Sequence, residues 1–183
     1  MKCPRCGHEL RGAERLEANL VADRCRACGG HWVSSFQYWK WRATVASAPA
    51  SLPDSGDLTP PQDTSHAMMC PQCGHILGRH KVGHGFNFHL DYCATCGGMW
   101  FDPEEWEILR DHDLHTDVHR IFTAVWQRER RAEEGRRSMA EVYERRFGPE
   151  DYDRLREFRD WLDAHAERGA LLQYLNDPDP YQT

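Results

Sequence analysis

The eight cysteines of this 183-residue chain are the residues best placed to do chemistry. They come as four C-x-x-C pairs: Cys3/Cys6, Cys25/Cys28, Cys70/Cys73 and Cys93/Cys96. Two thiols so close together can exchange a disulfide, or they can supply half of a tetrahedral metal shell. The distance between pairs favours the second chemistry. Eighteen residues separate Cys6 from Cys25 and 19 separate Cys73 from Cys93, and a second C-x-x-C about 15–20 residues on is the spacing of a sulfur-ligated zinc site. The candidate ligands are therefore Cys3, Cys6, Cys25 and Cys28 for one structural zinc ion, and Cys70, Cys73, Cys93 and Cys96 for a second. Four thiolates leave no position for a water or a substrate, which argues against a catalytic metal.

The flanks of the pairs repeat. A shift of 67 or 68 residues lays CPRCGHEL over CPQCGHIL and DRCRACGGHW over DYCATCGGMW, an internal duplication. Glycines after the second cysteine let the backbone turn so that amides face the sulfurs. Trp32 and Trp100 follow, each expected to cover one flank of its site and give a domain of about 40 residues a core. Within repeat two, FNFHLDY puts Phe86, Phe88 and Leu90 on one face and Asn87, His89 and Asp91 on the other, the pattern of a half-buried strand. Gly83 and Gly85 precede it as turn formers. The matching stretch of repeat one is ANLVAD, with Leu20 at the place of Phe88. After each tryptophan a helix should start. Asp102 is the expected N-cap before Pro103 and the acidic Glu104 and Glu105, and Ser34 with Gln37 makes a weaker capping box.

At these residues the chain resembles the bacterial zinc-ribbon proteins of the transcription factor IIB-type zinc finger family, whose pattern is CPxCG, a Gly-containing hairpin, then CxxCGGxW and an acidic helix start. The resemblance covers roughly residues 1–42 and 68–110. CGGMWFDPEEW is the closer match, whereas repeat one departs after Trp32, reading VSSFQYWKW. The resemblance implies one structural zinc per ribbon on the same eight cysteines and leaves activity open. The expected fold is small α+β: two tandem zinc ribbons, each a short antiparallel sheet with zinc knuckles, plus an α-helical C-terminal region. The expected organisation is ribbon one over 1–42, a linker over 43–67, ribbon two with its following helix over 68–112, and a helical tail over 113–183.

The linker assignment rests on four Pro and many Ala, Ser and Asp with little to bury. In the tail, Val118, Ile121, Phe122 and Val125 share a helical face. Ser138 with Glu141 suggests a new helix start, Gly148 a stop, and Pro149 the start of a helix with a Tyr152, Leu155, Phe158, Trp161, Leu162 stripe that Gly169 closes. His112, His115 and His119 could line one helical face, as a third metal site or as plain surface. His8 and His75, at equivalent places after the first knuckles, read as solvent-facing rather than as ligands.

Composition bounds the function. No run of about 18 apolar residues exists, so no membrane span is expected. MKCPRCGHEL lacks a signal's apolar region, which points to the cytoplasm, where thiols stay reduced. The formal charge of −6 is uneven: residues 1–42 carry 8 basic and 4 acidic groups, and residues 102–183 carry 13 and 21. Arg5, Arg11, Arg15, Arg24, Arg26 and Lys40, beside Trp39 and Trp41, resemble a nucleic-acid surface in type. Each four-thiolate zinc adds about −2, however, so binding to phosphates would be weak. No nucleophile–base motif, phosphate loop or dinucleotide fingerprint appears, and an enzyme is not expected. The leading expectation is a cytoplasmic adaptor acting by protein–protein interaction, linked to transcription or translation machinery, with a protein partner or self-association through the helical tail. The rivals are a nucleic-acid-binding module on ribbon one and a thiol-redox or chaperone-like protein.

Overall fold

The computed structural model describes residues 1–46, 63–83 and 85–181. Residues 47–62 of the expected linker lie outside the described residues. The chain divides into two units, Met1–Arg131 and Ala132–Thr183.

In the first unit the two repeats make one sheet. Repeat one contributes β1 (Ala13–Glu17), β2 (Leu20–Arg24) and β3 (His31–Val33). Repeat two contributes β4 (Gly78–Gly83), β5 (Phe86–Tyr92) and β6 (Met99–Phe101). The antiparallel order is β1-β2-β3-β6-β5-β4, so the copies join through β3 and β6. There His31 lies opposite Phe101, Trp32 opposite Trp100 and Val33 opposite Met99. That register is symmetric about the tryptophan pair, the pairing of a two-fold dimer contained in one chain.

Strand alternation then divides the core between two faces. Val33, Met99 and Phe101 join Leu20, Ala22, Phe86, Phe88 and Leu90 on one face. Three helices, α1 (Ser35–Arg42), α2 (Glu105–Asp111) and α3 (Val118–Ile121), add Tyr38, Trp41, Trp106, Leu109, Val118 and Ile121 there. All of these are 2% exposed or less. Trp41 of repeat one meets Trp106 of repeat two edge-on, ring centres 5.6 Å apart. On the other face Trp32 and Trp100 cluster with Leu10, Met68, Leu77 and the buried cysteines. A lone ribbon is too small to bury much. Merging two gives a shared core in which each large side chain contributes about 1.5–3 kcal/mol.

The expected alternation of FNFHLDY holds at Phe86, Phe88 and Leu90 but not at Asp91, which is buried. Asp91 lies opposite Arg79 of β4 and Trp100 of β6, inside the sheet rather than at its edge. The β4 edge is covered where α4 (Ala124–Phe147) begins. Trp126 Nε1 donates to the Val82 carbonyl at 3.0 Å and Gln127 Nε2 to that of Lys81 at 2.9 Å, satisfying acceptors that an edge strand would otherwise expose.

The second unit holds the rest of α4, α5 (Pro149–Ala164) and α6 (Arg168–Asn176). Gly148, at φ 84°, separates α4 from α5, and Pro149 opens α5 as expected. Two expectations are corrected. The helix α4 runs through Gly135 and Ser138 without a new start, because one internal glycine costs about 1 kcal/mol, whereas a fresh start must pay for a new nucleus. Gly169 lies inside α6 and does not close α5, which ends at Ala164. Among the described side chains of this unit only Leu162 is buried.

Candidate metal centre

Each C-x-x-C-G knuckle is closed by its glycine. Gly7, Gly29, Gly74 and Gly97 have φ between 73° and 82°, a left-handed conformation that a side chain resists. Their amides donate to the carbonyls of Cys3, Cys25, Cys70 and Cys93 at 2.8–3.0 Å. In the first knuckle of each copy the Cys3 and Cys70 amides bond to the carbonyls of His8 and His75, both at 2.7 Å. The two histidines, exposed as expected, thus act through their backbones.

These turns bring the thiols together in two separate groups, Cys3, Cys6, Cys25, Cys28 and Cys70, Cys73, Cys93, Cys96, with sulfurs within 4.8 Å of one another. Cys3–Cys28 and Cys6–Cys25 approach to 3.6 and 3.4 Å, Cys70–Cys96 and Cys73–Cys93 to 3.5 and 3.4 Å. All eight are free thiols. A tetrahedral ion with metal–sulfur bonds of about 2.3 Å would set sulfurs about 3.8 Å apart, so the groups fit such an ion after a few tenths of an ångström of opening. The Cys73 amide points at Cys70 Sγ (3.4 Å), a donor that favours the thiolate.

The thiols differ in acidity before any metal arrives. Burial raises the Cys93 thiol, but the Cys96 and Thr95 amides with the Cys73 and Cys96 thiols outweigh it and bring it to about 6. Cys25 is held at about 7 in the same way, burial being overcome by the Cys28 and Ala27 amides. Burial pushes Cys70 up to about 12 and Cys28 to about 11. In each group one thiol is thus eased toward ionisation while burial holds back Cys3 and Cys28, or Cys70 and Cys96, from which an arriving cation must displace protons.

The tryptophans of C-G-G-x-W do not simply cover their own sites. A Cβ added to Gly30 would strike the ring of Trp100, and one added to Gly98 would strike the ring of Trp32. Each ring lies against the glycine of the other copy, so the duplicated motif also joins the two metal groups.

One network beside the first group has no precursor in the sequence. Asp102 Oδ1 accepts from Trp100 Nε1 at 2.9 Å and Oδ2 from the Thr64 amide at 2.7 Å, with Arg5 of repeat one at 3.6 Å. Asp102 is therefore not the N-cap expected of it. The helix α2 starts three residues later, after Glu104 at φ 74°. At the equivalent place Ser34 does cap α1, accepting from the Gln37 amide at 3.2 Å. Repeat two keeps the return half of the box, with the Asp102 amide donating to Glu105 Oε2 at 2.8 Å. Asp63, Asp102 and Glu105 lie within 4.8 Å of one another. Arginines face two of them, Arg79 pairing with Asp63 at 2.7 Å and Arg5 with Asp102 at 3.6 Å, and His89 Nδ1 lies 3.3 Å from Asp63. Burial, then Asp102, pushes the Glu105 carboxyl well above its usual range. Burial raises Asp91 to about 7 against the pull of Arg79. Asp63 and Thr64 sit in a stretch of linker-like composition, and nothing local marks them.

The histidine cluster is dispersed. His115 is buried with Nε2 3.2 Å from Glu17, His119 Nδ1 is 2.8 Å from the Tyr38 hydroxyl, and His112 lies edge-on to Phe86. Among the described residues no metal-capable group contains them. Burial lowers both His115 and His119, favouring neutral rings. The basic surface of ribbon one is also reduced. Trp41, expected beside Trp39 on the surface, is fully buried, and Arg5, Arg11 and Arg24 pair with Asp102, Glu9 and Glu14.

Residues 2–44 and 69–112 each match the family described as transcription factor zinc-finger, the TFIIB-type zinc ribbon. No curated protein and no solved structure matches the chain.

Proposed function

Residues 2–44 and 69–112 belong to the transcription factor IIB-type zinc-ribbon family, and from that premise we propose that the chain is a non-enzymatic adaptor: two structural zinc ions set a paired-ribbon platform that binds another protein. The observation that carries this reading is where the chain spends its exposed apolar surface. The sulfur groups are complete, with two buried thiols in each, while Phe36 and Trp39, three apart on α1, are 73% and 51% exposed. Large aromatic side chains are the usual anchors of protein interfaces. Cys3, Cys6, Cys25 and Cys28 would hold one zinc, and Cys70, Cys73, Cys93 and Cys96 the other. Zinc supplies folding energy there and no reaction. The location we propose is cytoplasmic, with a partner in the transcription or translation machinery.

The test is affinity purification of the full chain from its own cells, with and without nuclease. A protein retained after nuclease, and lost on Phe36→Ala/Trp39→Ala with zinc content unchanged, supports the reading. Retention that nuclease abolishes would overturn it in favour of the second reading, a nucleic-acid module. One observation speaks for that alternative: Arg11, Arg15, Arg24 and Arg26 line a single groove beside β1.

No membrane role is proposed, and no helix among the described residues is long and apolar enough to cross a bilayer.

A further inference from the structure

Two helical faces of the second unit leave much apolar surface in water. On α4, Met139, Tyr143 and Phe147 recur every four residues along one face. On α5, Leu155, Phe158 and Trp161 recur every three. All six are between 41% and 51% exposed. The aromatic rings are already ordered along each face, Tyr143 stacked near Phe147 at 5.7 Å and Phe158 near Trp161 at 5.5 Å. The two helices meet at the Gly148 corner, where Phe147 and Leu155 line a hollow with Asp151 and Arg154 and, with Tyr143 and Tyr152, an open groove, and they do not pack side by side. One buried side chain, Leu162, is little to set against the entropy of ordering three helices.

We propose that these faces bind a second copy of the chain, α4 of each copy lying along α5 of the other. Two observations select that occupant. The first is area. At the 150–250 Å² that an aromatic side chain presents, the four half-exposed rings leave about 350 Å² per copy. Their aliphatic neighbours bring this toward the roughly 800 Å² per partner of a standard interface. The second is charge. From Ala132 on, α4 carries four Arg and four Glu and is neutral, whereas α5 carries six acidic residues and three Arg, a net of −3. A two-fold arrangement sets the acidic α5 of each copy against the neutral stretch of α4, where Arg145 and Arg146 stand, and avoids laying two acidic α5 helices together.

The inference deepens the adaptor reading by naming one partner, and rests on it only in treating the helices as an interaction element. Light scattering on the zinc-loaded full chain, 21.3 kDa, should give twice that mass at micromolar concentration. Phe158→Glu/Trp161→Glu should give the monomer with zinc content unchanged. Should that variant lose its zinc, Arg145→Glu/Arg146→Glu decides, and it should weaken association about tenfold or more. A monomeric native chain, or a dimer indifferent to the surface arginine variant, overturns the proposal. A dimer whose cells yield no captured protein would sink the adaptor reading and leave this inference standing.

Discussion

At the scale of single residues, the glycines of C-G-G-x-W do two jobs that the motif does not distinguish. Gly29 and Gly97 close the knuckles, whereas Gly30 and Gly98 admit the tryptophan of the opposite copy. Gly98→Ala should therefore force the Trp32 ring out of place. We expect overpacking to cost about 1–3 kcal/mol, read as a lower thermal midpoint of the zinc-loaded protein. An unchanged midpoint would mean that the rings are not locked against those glycines. Glu105 yields a second expectation. Its carboxyl, buried and then facing Asp102, Asp63 and Asp91, is raised well above the ordinary 4.5, so the folded chain holds that proton more tightly than the unfolded one. Below the ordinary value both states are protonated and nothing is lost. As pH rises above it the unfolded state ionises first and stability falls. Glu105→Gln should thus gain stability over the native chain steadily from pH 5.5 to pH 8 in urea unfolding. A difference independent of pH would refute the buried-acid reading. The eight cysteines were legible in the sequence because knuckle spacing is local. The role of Asp102 was not, because Ser34 at the same position is a true cap, and the partners that claim Asp102 come from Arg5 and Thr64, far along the chain.

At the scale of elements, strands could be read from alternation and turn glycines, but their order could not. Nothing local states that β3 and β6 pair, since three-residue strands such as His31–Val33 and Met99–Phe101 carry no register signal of their own. Trp39 and Trp41 show the same gap. Two residues apart on α1, they looked alike, yet Trp41 turns to Trp106 of the other copy and Trp39 to solvent. The shared sheet has a consequence for metal binding. Cys93→Ser should remove the second ion and unfold its ribbon, taking away the strand that β3 pairs with. The first ion should then be released by a chelator at least about tenfold more readily than in the native chain. A first site that holds its ion unchanged would show the ribbons to be thermodynamically independent.

At the scale of the whole molecule, composition set the terms that local motifs could not. The unit Met1–Arg131 contains all eight cysteines and nearly all the buried apolar side chains, and the unit from Ala132 is helical, charged and mostly exposed. The duplication was plain in the sequence as two ribbons in tandem. That the copies form one sheet with two shared cores required long-range pairing, and aromatic residues that looked like surface candidates were used to build it. The paired-ribbon platform requires both sulfur groups to be filled structural zinc sites. Zinc X-ray absorption on metal-quantified native protein tests this most directly. The expected result is two zinc ions per chain, each with four sulfur neighbours at about 2.3 Å and no lighter ligand. One zinc per chain, or a nitrogen or oxygen in the first shell of either, would contradict it.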